Sequence, residues 1–285
     1  SWRFIMSEFK VTSITNRDGS HGPQICGIVT FTGSGLTLPS GSLSGGRGRG
    51  VIGGGYPNSN VLQFVRISSK GDAIDFGDLS AARYECTAVG SATRGIWMGG
   101  LPASFTIDYF TFSSGGGAND FGDLNLGRYA WNAGASDSIR GFVMGGSASP
   151  APTTDRIASI EVITMASTGD ANMFGDLTKN SRRAAGCSSP TRAIHFTGRD
   201  DPARTKDIQF FTMATQGDAA KFGELTADER DSHAGCFSSN IRGVVGGGVP
   251  STAVNTIEYI TIATQGNSQD FGDLTVARYA GGGTS

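Results

Sequence analysis

Phe76-Gly77-Asp78-Leu79 recurs as Phe121 to Leu124, Phe174 to Leu177 and Phe271 to Leu274, with Phe222-Gly223-Glu224-Leu225 as a conservative fifth copy. The copies stand 45, 53, 48 and 49 residues apart. A near-constant period of this length marks a repeat architecture, in which each unit buries its apolar face against the next. Seven or eight residues beyond each Phe lies an arginine, Arg83, Arg128, Arg182, Arg230 or Arg278, followed by a small apolar strand. A second arginine then opens a strand that runs into glycines: Arg49 to Gly54, Arg94 to Gly100, Arg140 to Gly146, a degenerate Arg192 to Gly198, and Arg242 to Gly247. The doublets read as Gly53-Gly54, Gly99-Gly100, Gly145-Gly146 and Gly246-Gly247. A β-rich run follows, as in Phe105 to Phe112 or Thr256 to Ile262, and a turn such as Thr215-Gln-Gly-Asp-Ala219 leads back to the next Phe. Each unit therefore holds three strands plus a short extended piece around the Phe. Four strands in roughly 45 to 50 residues is the arithmetic of a propeller blade.

Composition agrees with many short strands and tight turns. The 285 residues include 44 Gly and only 9 Pro, and the apolar residues come in short runs between Gly, Ser and Asp clusters. Lys and Arg total 23 against 25 Asp and Glu, so a net charge of -2 offers no basic field to hold a phosphate backbone, and nucleic acid is not an expected partner. No stretch approaches the ~20 apolar residues that span a bilayer, and no leader pattern opens the chain; the expectation is a soluble, unsecreted protein without membrane insertion. Met6-Ser-Glu-Phe reads as a translation start within the sequence. Cys26, Cys86, Cys187 and Cys236 make no CxxC pair and read as free thiols.

The pattern resembles kelch repeats. A glycine doublet ends one strand, the next carries a recurrent polar residue (Gln63, Asp108, Glu161, Gln209, Glu258), and an aromatic, a Leu and an Arg follow. Phe stands where kelch repeats usually carry Trp. The resemblance covers about residues 47–285 and implies an all-β fold, a five-bladed kelch-like β-propeller with an extended N-terminal arm (1–46). The chain enters the repeats at the strand from Arg49 and leaves after Arg278-Tyr-Ala-Gly-Gly-Gly-Thr-Ser285. One blade is then shared between these two ends, and pairing the last strand with the first leaves no open edge.

The arm contains two extended segments, Lys10 to Thr15 and Gly27 to Thr32, neither large enough to fold alone. Its apolar residues Phe9, Val11, Ile14, Ile28, Phe31, Leu36 and Leu38 are the assembly candidates. Thr15-Asn-Arg-Asp-Gly-Ser-His-Gly-Pro23 and Thr30-Phe-Thr-Gly-Ser-Gly-Leu-Thr-Leu-Pro-Ser-Gly41 are similar to the N-terminal attachment segment of cyanophage virion structural proteins. That likeness implies a phage particle component, tail fibre or tail appendage. Other virion proteins, further copies of the chain and a host-surface glycan are the implied partners.

Recurring charges are first of all structural, because a feature present in every repeat serves what every repeat needs. Asp78, Asp123, Asp176, Glu224 and Asp273 are expected to pair with turn amides or repeat arginines, and the third-strand polar residues to find buried partners. No set of carboxylates departs from the repeat to suggest glycoside hydrolysis. His21, His195 and His233 lack ligand spacing for zinc, and no Cys, Tyr and His set for a copper-radical site can be assembled. No catalytic residue, metal or cofactor is expected. Cys187 and Cys236 fall at matching places in neighbouring repeats, each after a Gly, where close packing favours small residues.

Binding candidates come instead from the variable loops after the doublets, which share one rim: Tyr56, Asn58 and Asn60; Pro102; Ser147, Pro150 and Thr153; Arg199, Asp200 and Asp201; and Pro250. Tyr56 and Tyr109 could stack on a sugar, whereas Trp97 and Trp131 read as core. A lectin-like propeller recognising host polysaccharide is the alternative to a purely structural virion role.

Overall fold

The repeats fold as sheets. A computed structural model describes residues 49–279, apart from 68, 103–104, 130–132, 149–155, 201–202, 228 and 232–234. The arm, Trp131, His233, Pro150, Thr153 and Asp201 lie outside the described residues. The described chain is all β, with no helix. Among the described residues five antiparallel sheets of three or four strands, I to V, follow one another in order, one per repeat, with two further two-stranded ribbons.

Sheet II shows the plan. Its inner strand Thr87–Gly90 pairs with the second, Arg94–Met98; the third, Thr106–Thr111, pairs with the outer strand Asn119–Asp123. Sheets III (inner strand Ala133–Ser136), IV (Ala185–Ser188) and V (Gly235–Ser238) repeat this four-strand order. Sheet I has three strands, Arg49–Gly53, Ser59–Arg66 and Ile74–Arg83. The strand expected to complete it, between Arg278 and Ser285, falls largely outside the described residues.

In sheets II to V the second strand is a buried run with no polar alternation: Ile96, Trp97 and Met98 are all buried, because a neighbouring sheet covers either face. Ile96 and Met98 pack toward sheet III with Phe121, Val143 and Ile163, while Trp97 packs back on Leu62 and Phe76 of sheet I. Equivalent clusters join III to IV through Phe142, Phe174 and Phe211, and IV to V through Ile194, Phe222 and Val245.

The Phe-Gly pair is more than the short extended piece expected from sequence; it is a β-bulge in a five-residue strand. Ile107 faces Gly122 and Asp108 faces Asp120, leaving Phe121 as the extra residue, turned into the junction. The same shift recurs at Phe174, Phe222 and Phe271. Gly122 must be glycine for two reasons. Its φ is 142°, and a Cβ there would lie 2.5 Å from the carbonyl carbon of Gly169 in the next sheet's turn. That turn is stitched on by backbone bonds from Gly169 N to Phe121 O (2.7 Å) and Ala171 N to Asp123 O (2.9 Å).

The doublets need one correction. Positive φ falls at Gly54 and Gly55 in sheet I and at Gly247 and Gly248 in sheet V, one residue later than Gly53-Gly54 and Gly246-Gly247. Gly53 and Gly246 end their strands in the register that Met98 and Met144 occupy elsewhere.

Candidate functional site

Three of the five repeat arginines reach forward across the junctions. Arg83 pairs with Asp108 of sheet II, Arg128 with Glu161 of sheet III and Arg230 with Glu258 of sheet V, all fully or almost fully buried. Arg128 also donates to the carbonyls of Gly145 and Ser159, each at 3.0 Å. Burial lowers the Arg128 pKa, against the opposing pull of the Glu161 charge. The third-strand acid additionally accepts from the amide four residues beyond the Phe: Asn125 N to Glu161 at 2.7 Å and Thr226 N to Glu258 at 2.9 Å. For Glu258, burial would raise the pKa, but bonds from Ser268, Thr226 and Ala227 with the Arg230 charge overcome it and hold the carboxyl below its ordinary value.

These pairs reassign the recurring charges. The motif acids do not take the repeat arginines: Asp78, Asp123, Asp176 and Asp273 are exposed. Glu224 is half-buried and binds Lys221. The bulge explains this, since it turns Phe inward and leaves the acid two positions on at the solvent edge. Capping runs the other way, the turn's Asp170 and Asp218 accepting from Asp123 N and Asp176 N at 3.0 Å.

Sheet IV departs from the repeat. Gln209 replaces the acid and accepts from Thr178 N at 2.7 Å. His195, in the register of Trp97, is buried with neither ring nitrogen hydrogen-bonded, and burial pushes its pKa down to about 4. Thr197 stands where the first doublet glycine belongs, its hydroxyl donating to Arg230 O at 2.9 Å.

Backbone bridges join the rim loops to the preceding repeat at Tyr84 to Leu101, Tyr129 to Ser147, Arg182 to Arg199 and Asp231 to Val249, while Ser147 to Arg156 closes the third loop on itself. Tyr56 is 86% exposed and meets Tyr84 edge-on at 5.7 Å, and the Tyr84–Leu101 bridge places exposed Pro102 beside them. Asn58 takes a positive φ of 83°, and Asn60 is half-buried. A second group forms where Arg199 and Asp200 pair with Ala203 and Arg204, close to Arg182, with Arg204 3.5 Å from buried Asp231. Pro250 is half-buried. Ser147 is a correction: it is buried in the two-residue ribbon with Tyr129 and is no contact residue. Tyr109 is no sugar platform either, because Phe121 and the Arg94 guanidinium cover its ring. Tyr84 escaped the sequence reading because it lies outside the variable loops, directly after a repeat arginine; Arg182 was read only as a repeat arginine, and Arg204 lies within the fourth variable loop without having been singled out.

The inner strands of sheets II to V, with Arg49, Val51 and Ile67 of sheet I, line a cavity of about 770 Å³. Serine hydroxyls tie the strands in sequence: Ser136 to Gly90 O, Ser188 to Ser136 O and Ser238 to Ser188 O. Among the described residues no group of three His, Cys, Asp or Glu could hold a metal. No family model and no curated protein matches the chain.

Proposed function

We propose that this chain is a non-enzymatic structural protein of a phage particle, a tail fibre or tail appendage subunit. In this reading residues 1–46 assemble it onto other virion proteins, and a five-bladed, kelch-like propeller presents its loop rim to a neighbour or a host surface. The observation that carries the reading is how the charges are used. Arg83, Arg128 and Arg230 and their third-strand acids are spent inside the junctions, whereas exposed Tyr56 and Pro102 gather with Tyr84 on the rim.

Ring closure belongs to the same proposal. Sheet I leaves Ile52 and Ile67 exposed on the face that its counterparts use to cover a preceding sheet. Sheet V leaves Phe271 and Arg278 exposed, the groups that its counterparts bury against a following sheet. Bringing the two together reproduces the junction seen between the other sheets, with residues after Arg278 adding the inner strand of sheet I.

Immunogold labelling of particles and reconstitution with and without residues 1–46 test the assembly role; loss of incorporation on removing the arm is the expected result. The lectin alternative draws on the 86% exposure of Tyr56. Glycan retention by the wild-type chain, abolished by Tyr56→Ala, would favour it, and hydrolysis of host polysaccharide would overturn both readings.

A further inference from the structure

A one-residue offset turns two cysteines toward each other across the junction of sheets IV and V. Cys187 is the third residue of its inner strand and pairs with Ile194; Cys236 is the second of its own and pairs with Val245. Side chains alternate along a strand. Cys187 therefore faces forward with Ile194 and Cys236 faces back with Val245, and all four pack in one apolar cluster. The matching places read from sequence are corrected accordingly: in register, Phe237 is the counterpart of Cys187, since it faces Val244 as Cys187 faces Ile194.

The backward-facing inner position is Ala88, Gly134 or Gly186 in the other sheets, because adjacent inner strands crowd there. A Cβ on Gly186 would lie 2.4 Å from Gly134 O. Sheet V places a thiol at this close approach. One residue beyond Cys187, Ser188 O accepts from Ser238 Oγ at 2.7 Å, so the two strands are held side by side. The two thiols share one packed cluster, and the neighbouring Cys187 thiol, with burial, raises Cys236 well above the usual thiol range. Both line the cavity of about 770 Å³, which gives a small disulfide a route to them.

We propose that Cys187 and Cys236 are a redox pair that forms a disulfide linking sheets IV and V when the chain meets a small-molecule disulfide oxidant. In the first step the Cys187 thiolate attacks one sulfur of oxidised glutathione, forming a mixed disulfide and releasing one glutathione thiolate. In the second, the Cys236 thiolate attacks the Cys187 sulfur of that mixed disulfide and expels the other glutathione. The two protein thiols lose two electrons and two protons; one glutathione disulfide becomes two thiols. Because the thiolate is the nucleophile, the second step quickens as pH rises. The product closes a covalent loop between neighbouring sheets and raises the melting temperature by several degrees.

The full chain, incubated with oxidised glutathione at pH 7 and 8.5, is digested without reduction and read by mass spectrometry. A cross-linked Cys187–Cys236 peptide is expected, faster at pH 8.5, reversed by dithiothreitol, retained in Cys86→Ser and absent from Cys187→Ser and Cys236→Ser. Circular dichroism checks that each variant keeps its β signal. Glutathione adducts on separate cysteines without the cross-link, or both thiols remaining fully alkylatable in folded protein, would overturn the proposal.

Discussion

The junction between sheets II and III and the uncovered ends of sheets V and I are built from the same repeat, yet their residues stand in opposite environments. At the first, Phe121 is 3% exposed, Arg128 is buried on Glu161, and Gly122 sits under the Gly169 turn. At the second, Phe271 is 51% exposed, Arg278 and Gln63 are exposed, and an added Cβ at Gly272 meets nothing within 4 Å. The same motif is core where a neighbour covers it and surface where none does. A repeat therefore specifies half of an interface, and its contribution depends on the half opposite, as in arrays stabilised by nearest-neighbour terms.

The comparison can be broken most severely at the buried ion pair. Arg128→Met strands the Glu161 carboxylate and is expected to cost about 4 kcal/mol in urea unfolding, the range for breaking one partner of a buried pair. Arg278→Met, with no acid opposite in Gln63, is expected to cost under about 1 kcal/mol. An equal cost at both sites would break the contrast.

His195 sharpens the view of the III–IV junction. Its folded pKa of about 4 lies below the unfolded value of about 6.5. The unfolded chain therefore binds the proton first, and stability present above pH 6.5 is lost as pH falls toward 4, by about 3 kcal/mol. His195→Val installs the residue found in register at Val143 and Val245 and should remove that part of the slope in stability against pH.

Glycine gives the next effect. Gly122→Ala meets both a left-handed φ and the Gly169 backbone, and we expect a loss of about 3 kcal/mol. Gly272→Ala meets only its φ of 135°, for a loss of about 1 kcal/mol in an open array. If the ring closes as proposed, Gly272 lies under the turn of sheet I and the two substitutions cost the same. The smallest effect is expected at the rim: Tyr56→Ala should change stability by under about 0.5 kcal/mol while removing whatever binding the rim performs.

Much of this was legible in order along the chain. The five copies of the Phe motif gave the number of sheets, and the glycine strands gave their second members. Arg83, Arg128 and Arg230 were recognisable as structural, and so were Asp108, Glu161 and Glu258. Their mutual pairing was not legible, because partners 25 to 33 residues apart are matched by the offset of one sheet on the next. That Phe121 occupies a bulge, that Ser147 is buried, and that Tyr56 meets Tyr84 likewise depend on register and on loops folding over one rim.

The sequence by itself determined the repeat, its strands and the identity of the recurring residues, since period and local pattern follow from composition at fixed spacing. Only the tertiary structure decided which face each residue shows its neighbour. Alternation along a strand sets that face, so the one-position offset between Cys187 and Cys236 turns residues that look equivalent in sequence toward each other.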